Sequence, residues 1–189
     1  MTKINKYISR PDRKTGELVK TLSNQPLKDT KYKGKPISMY DLDKVLDDIP
    51  DFIGVIDVNE FQKLKFNNNK RTGIILLYNS HYRSIIIDPI YTLSVMYYDP
   101  YGEEPPKPIL RQLTKKISDM NTNTKLKLKI NKIKNQRLNS NNCGLHATRF
   151  IINILVKNYS FIKATGYTIK KAEELARKMG GYLEKFNYI

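Results

Sequence analysis

Cys143 is the only cysteine in the 189-residue chain, and it opens Cys143-Gly144-Leu145 directly ahead of apolar residues at helical spacing. A thiol at a helix N-terminus meets unpaired backbone N–H groups and the positive end of the helix dipole, and both favour the nucleophilic thiolate. A lone thiol suits a small buried hydrophobe equally well, so its chemistry depends on partners. Nucleophilic catalysis needs a base, a group that orients the base, and donors for the oxyanion of a tetrahedral intermediate. Two histidines are available. His81, in Tyr78-Asn79-Ser80-His81-Tyr82, lies at a turn between two β-type runs, where a side chain can project from a strand end. His146 follows Cys143 on the same helix and shares its surface, so it reads as a packing or surface residue rather than a base. Asp99, in Tyr97-Tyr98-Asp99-Pro100-Tyr101-Gly102, ends another strand and is the carboxylate that could orient His81; an Asp before Pro also suits turn initiation. Gln136 precedes Cys143 in a polar loop, from which its amide could donate to an oxyanion beside the Cys143 N–H. By itself a loop glutamine is only a solvated side chain.

These residues need a frame that brings a strand end, a turn and a helix start together, and the apolar pattern supplies an α+β arrangement. Ser38 can cap a helix to about Asp47, with Met39, Leu42 and Val45 at helical spacing. β-type runs follow at Gly54 to Val58, Gly73 to Tyr78, Tyr82 to Ile87 and Leu93 to Tyr98, and a further strand is expected from Lys125 to Ile133. Ile109 to Met120 reads as an amphipathic helix. The helix from Cys143 to about Val156 carries Leu145, Ala147, Phe150, Ile151, Ile154 and Leu155, leaving little polar face, so it belongs inside. A last helix, about Thr168 to Met179, is expected to end at Gly180-Gly181. The whole reads as a central mixed β-sheet packed against a buried helix with the nucleophile at its N-terminus. Residues 1–37 form a basic arm broken by Pro11, Pro26 and Pro36, expected to be extended rather than packed, and residues 38–189 form one domain.

The order His81, Asp99, Gln136, Cys143, with Tyr98-Asp99-Pro100-Tyr101-Gly102 and Asn139-Ser140-x-x-Cys143-Gly144-Leu145, resembles the adenovirus maturation protease (adenain) family of papain-like cysteine proteases. Enzymes of this kind are encoded by virophages and Polinton-type elements and are related to the SUMO-specific, Ulp-like proteases. Ser38-x-x-x-Leu42-x-x-Val45-x-x-Asp48 and Phe52-Ile53-Gly54-Val55-Ile56-Asp57 are similar to the start of that domain, so the likeness spans about Ser38 to Leu155. The resemblance implies a Cys143–His81–Asp99 triad, with Gln136 and the Cys143 N–H as oxyanion donors. It also implies a thiol endopeptidase cutting capsid or core precursors near Gly-Gly or Gly-X. Two departures matter. The family has Trp after its histidine where this chain has Tyr82, an aromatic that would keep the packing beside the imidazole. The adenovirus enzymes also bind an activating peptide through a second cysteine, which this chain lacks, so any peptide activator must act noncovalently.

The balance of 34 basic against 18 acidic residues gives a formal charge of +16. The excess gathers in the arm and in Lys125-Leu126-Lys127-Leu128-Lys129-Ile130-Asn131-Lys132-Ile133-Lys134, where alternation places lysines opposite the aliphatic residues of a strand. That pattern is either a solvated strand face or, through Lys125, Lys127, Lys129, Lys132 and Lys134, a sequence-independent nucleic-acid surface. DNA stimulation, as in the adenovirus enzymes, follows from the resemblance. No metal or organic cofactor is expected. A monomer in a reducing compartment, with no membrane association, fits the single thiol and the polar N-terminus. The interior of a virion, host cytoplasm or a viral factory would serve. Gly180-Gly181 lacks a large aliphatic residue at Lys178, which argues against self-processing there. The competing readings are a SUMO-type isopeptidase and a non-enzymatic basic core protein.

Overall fold

The β-type runs are almost continuously apolar because the sheet they form is covered on both faces. In the computed structural model, which describes residues 32, 34–120, 125–185 and 188–189, five strands lie in chain order across one mixed sheet. They are β1 (Phe52–Asp57), β2 (Thr72–Tyr78), β3 (His81–Asp88), β4 (Ser94–Tyr98) and β5 (Lys127–Ile130). β2, β3 and β4 form an antiparallel meander, flanked by β1 parallel to β2 and β5 parallel to β4. The helices are α1 (Met39–Leu46), α2 (Val58–Lys63), α3 (Lys107–Asp119), α4 (Cys143–Leu155), α5 (Phe161–Thr165) and α6 (Ile169–Lys185).

Strand alternation divides the core into two layers. Ile75, Ile86, Met96 and Tyr98 face one layer with α4, α1 and α6, while Ile74, Leu76, Ile85, Ile87, Val95 and Tyr97 face the other, with Phe61, Ile109 and Leu113. Every residue of α4 from Gly144 to Leu155 is buried, the polar His146, Thr148, Arg149 and Asn153 included. Phe150 stacks on Tyr98 at 4.6 Å and 2° between ring planes. Burying a ring of this size contributes about 1.5–3 kcal/mol relative to exposure, so this stack pins the middle of α4 at β4, while the helix lies mainly across β3 and β2. That contact fixes the helix whose first residue is Cys143.

The elements depart from the pattern-based reading at four places. β5 spans only Lys127–Ile130 rather than Lys125 to Ile133; at its end the Asn131 N–H bonds the Tyr97 carbonyl while its side-chain amide takes the Asp99 backbone. α6 does not stop at Gly180-Gly181 but continues through the pair to Lys185. Gly180 serves close packing there: a Cβ on it would lie 2.5 Å from the Tyr32 ring. Tyr32 and Ile37, assigned to the arm, belong to the core, while residues 1–31 and 33 of that arm lie outside the described residues. Finally, α2 and α5 are too short to show a period. α2 is set by a capping box instead: Asp57 accepts from the Glu60 N–H at 2.8 Å and Glu60 accepts from the Asp57 N–H at 3.1 Å.

Candidate active site

The tight turn that starts β3 positions the first side chain. Asn79 and Ser80 both adopt positive φ, 50° and 56°, a pairing whose twist suits a two-residue hairpin. His81 therefore pairs with Tyr78 at the hairpin end and leads β3 into the sheet. β4, the next strand in the chain and antiparallel to β3, ends at Tyr98 and delivers Asp99 beside it.

Asp99 is fully buried, and its carboxylate is saturated with donors. Oδ1 lies 3.0 Å from His81 Nε2 and accepts the Tyr101 N–H at 2.8 Å, while Oδ2 accepts Arg83 Nε at 2.9 Å. Its backbone is held as firmly: Asn131 accepts from the Asp99 N–H at 2.7 Å and donates to its carbonyl at 2.8 Å. The turn closes with the Gly102 N–H on the Asp99 carbonyl at 2.8 Å. Gly102 has φ +72°, and a Cβ there would sit 2.9 Å from the Lys132 carbonyl, so glycine is required by both conformation and contact. Burial pushes the Asp99 carboxyl up, but its bonds to His81 and the Tyr101 N–H, with the Arg83 charge, hold it below the ordinary carboxylate range.

With Nε2 committed to Asp99, the His81 ring presents Nδ1 as its other nitrogen, and the imidazole and the Cys143 thiol are neighbours that shift each other's pKa. Cys143, half-buried, is the first residue of α4. Burial raises the thiol, yet the bond to His81 and those from the Tyr82 and Gly144 N–H groups bring it below its ordinary value. His81 is shifted the other way. Burial lowers it, but Asp99 and Cys143 outweigh burial and raise it. The two shifts together favour a thiolate–imidazolium pair.

Gln136 joins this constellation from the side. It is buried, its Nε2 donates to the Ser140 carbonyl at 2.6 Å, and the same nitrogen lies 3.3 Å from the Tyr101 hydroxyl. Tyr101 in turn stacks on His81 at 4.8 Å and 13°. The ring beside the imidazole is thus Tyr101's rather than Tyr82's; Tyr82 instead ties its hydroxyl to the Ile37 carbonyl at 2.9 Å. His146 is fully buried with Nε2 3.5 Å from Glu173 Oε1, and burial lowers its pKa, so it stays neutral at neutral pH.

Four residues of the site carried no signal strong enough to single out: Arg83, Tyr101, Asn131 and Glu173. Arg83 was within reach, since residues two apart on a strand share a face and His81 and Arg83 both meet Asp99. The five lysines of the basic stretch do not share one face. Lys125 and Lys127 are exposed at the sheet edge and Lys129 is half-buried; Lys132 pairs with Glu104, and Lys134 lies 5.7 Å over the Tyr101 ring. Among the described residues no group of three or more His, Cys, Asp or Glu side chains is placed to hold a metal ion, and no helix is long and apolar enough to cross a membrane.

No protein-family model matches the chain, and no curated protein sequence is similar to it. Solved structures do share its fold. The ASFV pS273R protease is similar at a TM-score of 0.65 and 16% identity, over 79% of this chain and 68% of its own. The SUMO protease Ulp1, in a form with its catalytic cysteine oxidised to a sulfonic acid, is similar at a TM-score of 0.56 and 13% identity, over 97% of this chain and all of its own. The fold of this chain is therefore the mixed α+β fold of these papain-like cysteine proteases.

Proposed function

We propose that the chain is a cysteine endopeptidase in which Cys143 attacks the scissile carbonyl as a thiolate. The observation that supports this most is the His81 Nε2–Asp99 contact of 3.0 Å on an imidazole that neighbours a thiol at the start of a buried helix. Asp99 orients the ring and keeps it charged. As the tetrahedral intermediate forms, its oxyanion is met by the Cys143 N–H, one of the helix-start amides with no intrahelical acceptor, and by Gln136, whose second N–H turns from the Tyr101 hydroxyl. His81 then gives its proton to the leaving amine, and water, deprotonated by His81, releases the acyl group from Cys143.

The thiolate–imidazolium pair persists above the lowered Cys143 pKa and below the raised His81 pKa, so reactivity extends to acid pH. An ordinary thiol, with a pKa near 8.5, is almost wholly protonated at about pH 6. Iodoacetamide should label Cys143 rapidly and selectively at that pH, and His81→Ala should slow labelling about a hundredfold. Equal rates in the two proteins would sink the assignment and favour an inert basic core protein.

The substrates we propose are viral capsid or core precursors cut near Gly-Gly or Gly-X, inside virions or viral factories. The fold shared with the ASFV protease supports this class, and mass mapping of a neighbouring precursor after incubation would locate the cut. The overlay with the SUMO protease along 97% of this chain supports the second reading, a modifier isopeptidase, which a panel of modifier conjugates tests. For the charge of +16 we propose nonspecific DNA as partner and stimulator. Because such binding releases counterions, affinity should fall at least tenfold between about 50 and 200 mM salt. A salt-insensitive affinity would remove DNA from the mechanism.

A further inference from the structure

The two oxyanion donors proposed above stand at opposite ends of one loop, Gln136 before it and Cys143 after it. Their separation is set by how that loop is held, and most of its internal bonds are local. Ser140 takes the Gln136 amide on its carbonyl at 2.6 Å, and its hydroxyl accepts the Asn142 N–H at 3.2 Å. Gln136 itself is tied to the Asp99 turn, through its N–H to the Pro100 carbonyl at 2.9 Å and its amide to the Tyr101 hydroxyl, but the contact that reaches both ends of the loop comes from a distant helix. Glu173, on α6, places Oε1 2.9 Å from the Arg137 N–H and Oε2 2.8 Å from Asn142 Nδ2, with His146 Nε2 3.5 Å from Oε1. Arg137 is the residue after Gln136 and Asn142 the residue before Cys143. A single carboxylate from another helix therefore clamps both ends of the loop and faces the first turn of α4.

We infer that Glu173 is a positioning residue for acyl transfer: it fixes the distance between the Gln136 amide and the Cys143 N–H by holding Arg137 and Asn142 at once. The geometry is matched by the electrostatics. Although burial raises the Glu173 carboxyl, the neighbouring His146 and its bonds from the Arg137 N–H and the Asn142 amide take it down to about 2. It is thus ionised across the physiological range and accepts on both oxygens. Asn142 caps α4 without using its side chain on the helix, which frees that amide for Glu173. The rest of the triad is held elsewhere: His81 and Asp99, with Arg83 on the carboxylate, are fixed from β3, β4 and the Asn131 segment.

This inference rests on the protease reading, and two reactions of the same sulfur separate it from that reading. Acylation of Cys143 by p-nitrophenyl acetate passes through a tetrahedral oxyanion, whereas alkylation by iodoacetamide needs the thiolate but no oxyanion donors. A misplacement of about 1 Å in a reacting geometry can cost on the order of a hundredfold. Glu173→Ala should therefore slow the p-nitrophenolate burst about ten- to a hundredfold while alkylation at pH 6 stays within twofold. Glu173→Gln, which keeps one accepting oxygen, should fall between. If both reactions slow together in both variants, Glu173 is a merely structural residue; if neither slows, the loop is held without it, and either result overturns the inference while the protease reading stands. A wild-type protein that is alkylated but acylates no faster than Cys143→Ala overturns the protease reading itself, and the positioning role with it.

Discussion

Cys143→Ala is expected to lower peptide hydrolysis by at least about 10⁴-fold, because removing the nucleophile of a triad leaves only what the oxyanion donors and binding supply. The fold should survive. Cys143 is half-buried at the first position of α4, whose remaining residues pack against the sheet without it, so a loss of about 1 kcal/mol is the scale to expect. His81 would respond as well. With the thiol gone it keeps Asp99 but loses the Cys143 bond, one of the contacts that raise it, so its pKa should move down. Cys143→Ser sharpens the test. A hydroxyl in the same place is not brought to its anion by bonds of this size, so serine should be nearly as inactive as alanine if the thiolate is the attacking species. Purified variants compared by kcat and by thermal melting would decide. Hydrolysis within tenfold of the unsubstituted protein, by a folded Cys143→Ala, would place the nucleophile elsewhere.

The part of this site that could be read from the sequence is the part that announces itself locally. Cys143 ahead of an apolar helix, His81 after a hairpin turn, and Asp99 at a strand end are each legible from neighbours within a few residues, and the structure brings the three together, His81 on Asp99 at 3.0 Å and beside the Cys143 thiol. The sheet strands were legible because burial on both faces demands apolar runs. What escaped depends on contacts between distant segments. Asn131 and Glu173 look like ordinary polar residues of a strand end and a surface helix, and only packing places them on Asp99 and on the loop before Cys143. Gly180-Gly181 misled for the same reason. Glycine after a periodic run signals a helix end when conformation decides, but here the Tyr32 ring occupies the space, and the helix runs on. The basic stretch read as one alternating face, yet β5 ends at Ile130, and beyond it Lys132 and Lys134 meet Glu104 and Tyr101 instead.

Asp99→Asn is the substitution in which Arg83 decides the outcome. In an active site that needs only an acceptor for the imidazole N–H, asparagine could serve by keeping its oxygen on His81. Here the second carboxylate oxygen is already taken by Arg83 Nε at 2.9 Å. An amide with its oxygen toward His81 and the Tyr101 N–H would set its NH₂ against the Arg83 N–H, donor against donor. The reverse orientation relieves Arg83 but sets the NH₂ against the Tyr101 N–H and forces the other histidine tautomer. Either way the buried guanidinium loses its counter-charge, and His81 loses the carboxylate that raises it. We expect kcat/KM to fall about 10³-fold, with the alkaline limb of the pH profile moving to lower pH because the imidazolium then deprotonates sooner. Stability should fall as well, on the order of 3 kcal/mol, the scale for breaking a buried pair. Adding Arg83→Leu removes the conflict and the unpaired charge together. The double variant should recover stability and part of the rate, a non-additivity expected of residues that share one partner. If Asp99→Asn alone keeps its rate within tenfold and its alkaline limb unmoved, Asp99 does not orient the base.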